Sequence, residues 1–397
     1  MTSYSEAKKW LIGGLDETPR IRLLLGPRGV GKSTLLLECA ERLGDRAIYV
    51  TADDPTMLLP DAWDRVWADA GRATPVRPVV LLDEAHLWPG WRARIQEAAG
   101  RLVAEGRPAH VVAAASAAHL SAASARTEER PMDAATLAHW SASSVAATFE
   151  VDPVEAADAL VAFGGYPGAF EFMTHHVRWA AYVRDTVVNP ALDRDLPALA
   201  PIRQPALLRQ VFAAAALHPC QVLSLQHIQA RLLDRGSLTT IALYLRLLGD
   251  AGLVAPLPRF SPARTRRRAA PPKLVVLDNA IISALHPRGA PDRAREPERH
   301  NTWVANACLA HAVNSGQRVS YWREEPFEVD AVIDGEWGQW AVLVRTAPHT
   351  ERESRGLTEF VARYPDYRPL VITADTWQSF LVRGPSPRAE GPEPRAR

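Results

Sequence analysis

The octapeptide Gly26-Pro27-Arg28-Gly29-Val30-Gly31-Lys32-Ser33 stands between an apolar run, IRLLL at 21–25, and the helical run LLLECAERL. It has the form GxxxxGK[ST] in the strand–turn–helix setting that gives the motif its meaning. Glycines let the main chain close around phosphate oxygens, so that backbone N–H groups and the positive end of the following helix face the anion. A strand feeding such a turn points to an open parallel sheet covered by helices on both faces. Lys32 is expected to reach the β and γ phosphates of a nucleotide and the Ser33 hydroxyl to ligate Mg²⁺.

Further apolar runs support that sheet: AIYVT at 47–51, VVLLD at 79–83, HVVAAA at 110–115 and ATFEV at 147–151. The third run ends in paired carboxylates. Asp83 is expected to hold Mg²⁺ through its water shell, and Glu84 to orient or deprotonate the water that attacks the γ phosphate. Ser116, at the end of the next run, stands where a polar sensor of that phosphate belongs, and Arg126 or Arg130 in the charged stretch beyond it could act as an arginine finger.

Composition limits the other classes. Lys+Arg 46 against Asp+Glu 45 leaves a net charge of +1, so attraction to nucleic acid or anionic lipid must come from a local patch. Lysine occurs only at 8, 9, 32 and 273, so a lone interior lysine such as Lys32 is informative. Cys39, Cys220 and Cys308 match no metal or disulfide spacing. With no apolar run of membrane-spanning length and no signal-peptide core, a cytoplasmic protein without a membrane contact is expected.

Beyond residue 152 the pattern turns helical, and Gly164-Gly165-Tyr166-Pro167 breaks it. Helical segments near 205–217, 224–234 and 238–251 precede two strands, within GLVAPLPRF and KLVVLD, in the order of a winged helix. Between those strands lies a basic stretch containing Arg264, Arg266, Arg267 and Arg268, which could lie against the phosphates of duplex DNA. A helix near 302–313, three strands, a helix near 352–363 and a strand near 369–373 complete the chain.

Over residues 5–380 this order resembles a large prokaryotic ATPase family that joins an AAA-type P-loop core to a C-terminal domain with a restriction-endonuclease-like core. The resemblance is carried by Gly26 to Thr34, Asp53-Asp54, Asp83-Glu84 with Trp91, Gly164 to Pro167 and Arg194-Asp195. It continues through Pro272-Lys273 with Asp278, Tyr321-Trp322-Arg323 and Glu328-Val329-Asp330. It implies an α/β chain with a P-loop NTPase core over 1–151, a helical lid over 152–203 and a winged helix with a basic wing over 204–285. A linker over 286–301, a nuclease-like domain over 302–383 and a disordered tail over 384–397 follow. ATP with Mg²⁺ is the implied ligand, contacted by Gly26, Pro27, Arg28, Gly29, Val30, Gly31, Lys32, Ser33, Thr34 and Pro167.

The chain departs from the pattern in several places. Ala115-Ser116 stands for Gly-Ser, and Glu129-Arg130 for Gly-Arg, which makes Arg130 the preferred finger. In the C-terminal domain Leu343-Val344-Arg345 replaces Glu-x-Lys, and Asn301 lies near the place of a missing acid. Asp330 is then the one inward carboxylate, with Glu328 expected on the opposite strand face, too few to hold a catalytic Mg²⁺. The expected function is an ATP-hydrolysing switch that regulates a protein partner. The alternative is an ATP-gated DNA-binding protein, a regulator or a degenerate defence or mobile-element nuclease; a homo-oligomer is compatible with either.

Overall fold

The computed structural model describes residues 2–13, 15, 18–72, 77–116, 132–262, 270–347 and 351–385. The chain divides into two compact units, one of Met1–Ala138, Asn189–Arg203 and Asp250–Gly252, the other of the remaining residues. No helix among the described residues is long and apolar enough to cross a membrane.

The first unit begins with α1 (Tyr4–Ile12), β1 (Ile21–Leu25), α2 (Lys32–Leu43), β2 (Ala47–Thr51) and α3 (Ala62–Ala70). It continues with β3 (Val79–Asp83), α4 (Trp91–Ala104), β4 (His110–Ala115) and β5 (Asp133–Thr136). The strands form one sheet in the order β2-β3-β4-β1-β5, and each pairing is parallel. Residues alternate between two cores because successive side chains leave a strand on opposite faces. Val79 and Leu81 pack with Leu35, Leu36 and Leu11 from α1 and α2, whereas Val80 and Leu82 pack with Trp67, Ile95 and Leu102 from α3 and α4. Each such burial contributes about 1.5–3 kcal/mol, so a one-residue slip of β3 would exchange both cores at large cost. The order places β1 between β4 and β5, and because the strands run parallel the C-terminal ends of β1, β3 and β4 lie at one edge of the sheet.

The expected strand at 147–151 is not formed. Residues Ala142–Phe149 are α5, started by Ser141, whose side chain accepts from the Ser144 N–H. The fifth strand is Asp-Ala-Ala-Thr at 133–136, too small and too short in apolar surface to register as a hydrophobic run.

The second unit takes up α5, α6 (Pro153–Phe163) and α7 (His176–Tyr182); the chain then supplies Asn189–Arg203, with α8 (Leu196–Leu199), to the first unit. Next come α9 (Pro205–Ala216), α10 (Leu225–Gln229), α11 (Leu238–Asp250) and an antiparallel pair, β6 (Val254–Leu257) and β7 (Lys273–Val276). After α12 (Asn279–Leu285), the helix α13 (Pro297–Asn314) begins inside the stretch expected to be a linker. Its proline lies in the first turn, where the fixed φ suits a helix and the missing N–H costs nothing. The strands β8 (Arg318–Glu324), β9 (Phe327–Gly335) and β10 (Gly338–Arg345) form an antiparallel meander. Through α14 (Glu351–Arg363) the chain reaches β11 (Arg368–Thr373), parallel to β10, and ends in α15 (Trp377–Arg383). Most of the expected tail, residues 386–397, lies outside the described residues.

The GGYP break closes α6. Gly164 has φ +74° and a Cβ there would lie 1.9 Å from Asp278 Oδ1, so only glycine fits both the left-handed backbone and the space. The Gly165 N–H donates to Asp278 Oδ2 at 2.9 Å, and the Ala280 N–H to Oδ1 at 2.8 Å.

Candidate functional site

The loop between β1 and α2 is shaped by glycines. Gly29 and Gly31 have φ of +81° and +99°, and a Cβ on Gly26 would lie 2.4 Å from the carbonyl oxygen of Leu137. The Lys32 ammonium is buried and folds back on the loop, donating to the carbonyl oxygens of Gly26 (3.0 Å) and Pro27 (2.7 Å). Burial lowers its pKa below the ordinary lysine value, against the pull of Glu84, Asp83 and Asp195. Ser33 and Thr34 are exposed at the start of α2.

Asp83 and Glu84 sit where β3 ends. Asp83 is buried and accepts from the Tyr49 hydroxyl (3.0 Å) and the Glu84 N–H (2.8 Å). Burial and the neighbouring Asp83 carboxylate raise the Tyr49 pKa, so its hydroxyl stays protonated as a donor. Glu84 has φ +47°, a left-handed conformation that costs a non-glycine residue about 1 kcal/mol and recurs at functional sites. Its Oε1 accepts from Arg28 Nη1 at 3.0 Å and Arg194 Nη2 at 3.2 Å. Its Oε2 accepts from the buried Ser116 hydroxyl at 3.1 Å.

Asp195, 2% exposed, is the hub behind this arrangement. It accepts from Arg28 Nη1 (3.2 Å) and Arg194 Nε (3.3 Å) and lies 3.4 Å from His86 Nε2. Burial alone would raise its pKa; His86, Arg28 and Arg194 together hold it below the usual carboxylate value. Arg194 also reaches Asp53 at 3.3 Å.

The structure therefore brings Lys32, Ser116, Asp83 and Glu84 to the same edge of neighbouring strands, with Arg28 turned toward Glu84 and Asp195. Oxygen donors of the Ser33 and Asp83 type suit Mg²⁺. Glu84, His86 and Asp195 also offer ligand atoms within 4.8 Å of one another, but Arg28 and Arg194 already neutralise the two carboxylates. Arg126 and Arg130 lie outside the described residues, as do Arg264, Arg266, Arg267 and Arg268. Pro167 belongs to the second unit, where it opens a short 3₁₀ segment after the GGYP break.

Arg194, Asp195 and His86 received no role from sequence. Arg194-Asp195 stood out only as part of a family pattern, and His86 did not stand out at all. Nothing local to residues 189–203 announces that they join the P-loop unit.

A second charged cluster lies in the other unit. Lys273, 2% exposed on β7, donates to Asp330 Oδ1 (3.0 Å) and Glu328 Oε1 (3.3 Å) on β9. Arg345 donates to Asp330 Oδ2 at 2.7 Å, and the Val344 N–H to the same oxygen at 3.0 Å. Glu328 does not face away from Asp330: residues two apart on a strand share a face, and both carboxylates meet the same ammonium. The Lys273 ammonium thus fills the space between the two acids. Asn301 accepts from the Thr346 N–H at 2.8 Å.

Residues 18–140 match the family model of an AAA domain, and residues 154–292 that of a domain of unknown function, DUF8612. Among solved structures, the Walker-type ATPase of Pyrococcus abyssi is 14% identical, with 72% of this chain and 96% of that chain covered and a TM-score of 0.41. Thermotoga maritima RuvB is 18% identical, with 64% and 90% covered and a TM-score of 0.37. Aeropyrum pernix ORC1, solved in complex with DNA, is 16% identical, with 72% and 92% covered and a TM-score of 0.34. A search of curated proteins returns no match.

Proposed function

Starting from residues 18–140 as an AAA-type P-loop domain, we propose that the chain binds and hydrolyses ATP and uses the cycle to regulate a protein partner. One observation carries the reading: the ends of β1, β3 and β4 bring the P-loop lysine, two acids and a serine to one sheet edge, as phosphoryl transfer to water requires. In this proposal the backbone of Gly26 to Thr34 cradles the phosphates and Lys32 leaves the carbonyls of Gly26 and Pro27 for the β and γ oxygens. Glu84 orients and deprotonates the attacking water, and Ser116 holds Glu84 in place. Ser33 and Asp83 would hold Mg²⁺, which supplies neutralising charge at the phosphates. Pro167 remains a candidate nucleotide contact and Arg130 a candidate finger.

We assign 152–203 as a lid, 204–285 as a winged helix and 302–383 as a nuclease-like fold used for assembly. Two features support a protein partner. The exposed face of α11 carries Thr239, Ala242, Leu243 and Arg246, which offers little to read base edges. Leu233, in the turn before that helix, is 92% exposed.

Calorimetry of the full chain with ATP and Mg²⁺ tests the reading: saturable binding is expected, lost in Lys32→Ala. A folded parent chain that takes up no nucleotide refutes it. Duplex-DNA affinity that falls with salt and disappears when Arg264, Arg266, Arg267 and Arg268 are replaced by Ala would favour DNA as the partner instead.

A further inference from the structure

Three donors hold Glu84. Two guanidinium groups meet one of its oxygens, at 3.0 and 3.2 Å, and a hydroxyl meets the other at 3.1 Å. His86 Nδ1 stands 3.5 Å from that second oxygen. A carboxylate offers about four lone-pair directions, and a general base needs one of them turned to water. In this arrangement Glu84 is held by the same cations that an incoming terminal phosphate would attract, since phosphate matches a guanidinium fork at least as well as a carboxylate does.

We propose that Arg28 and Arg194 form a latch on Glu84 that a terminal phosphate opens by exchange, so that the site distinguishes triphosphate from diphosphate and frees its base only when triphosphate is bound. The inference rests on the ATP-hydrolysing reading above. The anchoring is what makes exchange feasible. Asp195 holds both arginines from behind, at 3.2 and 3.3 Å, and Asp53 holds Arg194 at 3.3 Å, so neither guanidinium must be reordered when Glu84 leaves. His86 in turn braces Asp195. In the exchange the two ion pairs to Glu84 break, two to the phosphate form, and Glu84 keeps its bond from Ser116. A diphosphate, one phosphoryl group shorter, leaves the latch closed. Arg194 is here a discriminating residue.

The test measures equilibrium affinity of the full chain for a non-hydrolysable ATP analogue and for ADP, both with Mg²⁺, by calorimetry. Arg194→Gln is expected to weaken the analogue about tenfold, the worth of one charge-assisted pair, and to leave ADP within about twofold. Glu84→Gln removes the competitor and is expected to tighten the analogue about tenfold, again without moving ADP. In the Arg194→Gln background that gain must shrink, because one of the two exchanged cations is gone. A gain of equal size in both backgrounds identifies simple repulsion between Glu84 and phosphate and overturns the latch. So does an analogue-to-ADP ratio unchanged in both single variants. A parental chain that binds neither nucleotide removes the hydrolytic reading itself. Arg194 is 34% exposed, so its replacement is expected to leave the fold intact, checked by the far-ultraviolet spectrum.

Discussion

Asp330→Asn is expected to destabilise the second unit by about 3 kcal/mol, at the lower end of the range for breaking a buried ion pair. The carboxylate accepts from Lys273, Arg345 and the Val344 N–H, at 3.0, 2.7 and 3.0 Å. Lost charge leaves the 2% exposed Lys273 with Glu328 as its counter-charge and the Asp330 carbonyl oxygen as a second acceptor, while Arg345, 18% exposed, recovers some hydration; both effects keep the cost below the upper limit. For a unit of this size that corresponds to roughly 6–12 °C in thermal midpoint. Lys273→Met is expected to cost much less, about 1 kcal/mol, because Asp330 keeps Arg345 and the Val344 N–H while the penalty of burying an ammonium disappears. The pH dependence has a definite sign. Burial would raise the Asp330 pKa, but Lys273 and Arg345 hold it well below the ordinary value. Its contribution is therefore complete above the unfolded aspartate pKa of about 3.9 and is lost as pH falls through the lower folded value. The gap between parent and Asp330→Asn should stay constant from pH 7 to about pH 4 and narrow below it. Urea denaturation at several pH values reads all three quantities. An Asp330→Asn midpoint equal to the parent's, or a Lys273→Met cost as large as that of Asp330→Asn, would refute the account.

Glu84→Gln should bind ATP yet lose hydrolysis by about a hundredfold or more, measured as phosphate release; turnover at the parental rate would remove Glu84 from the chemistry. Tyr49→Phe deletes the hydroxyl that donates to Asp83. It should raise the Mg²⁺ concentration for half-maximal hydrolysis severalfold, and an unchanged requirement would count against Asp83 as the metal residue. Gly164→Ala places a methyl 1.9 Å from Asp278 Oδ1 on a backbone at φ +74° and should cost about 2 kcal/mol or more in chemical denaturation. A neutral result would show that Asp278 can move aside.

Whatever depends on neighbours along the chain is readable from the residues alone. A phosphate loop is eight consecutive residues whose glycines set their own backbone, and β3 ending in Asp83-Glu84 is a run whose apolar pattern and terminal acids are read directly. The three helices ahead of β6 and β7 and the βββαβ run were legible for the same reason: each element carries its own period and its own breaks. Tertiary structure decided the rest, because it depends on distance in space. The strand Asp133–Thr136 exists by pairing with β1, and its small residues carry little signal of their own. Arg194 and Asp195 meet Glu84 and Arg28 across 110 and 167 positions of chain. Lys273 finds Asp330 only after β7 and β9 are built. Such pairs are selected by burial, since a charge removed from water must find its counter-charge wherever the fold supplies one, and no local pattern records that choice.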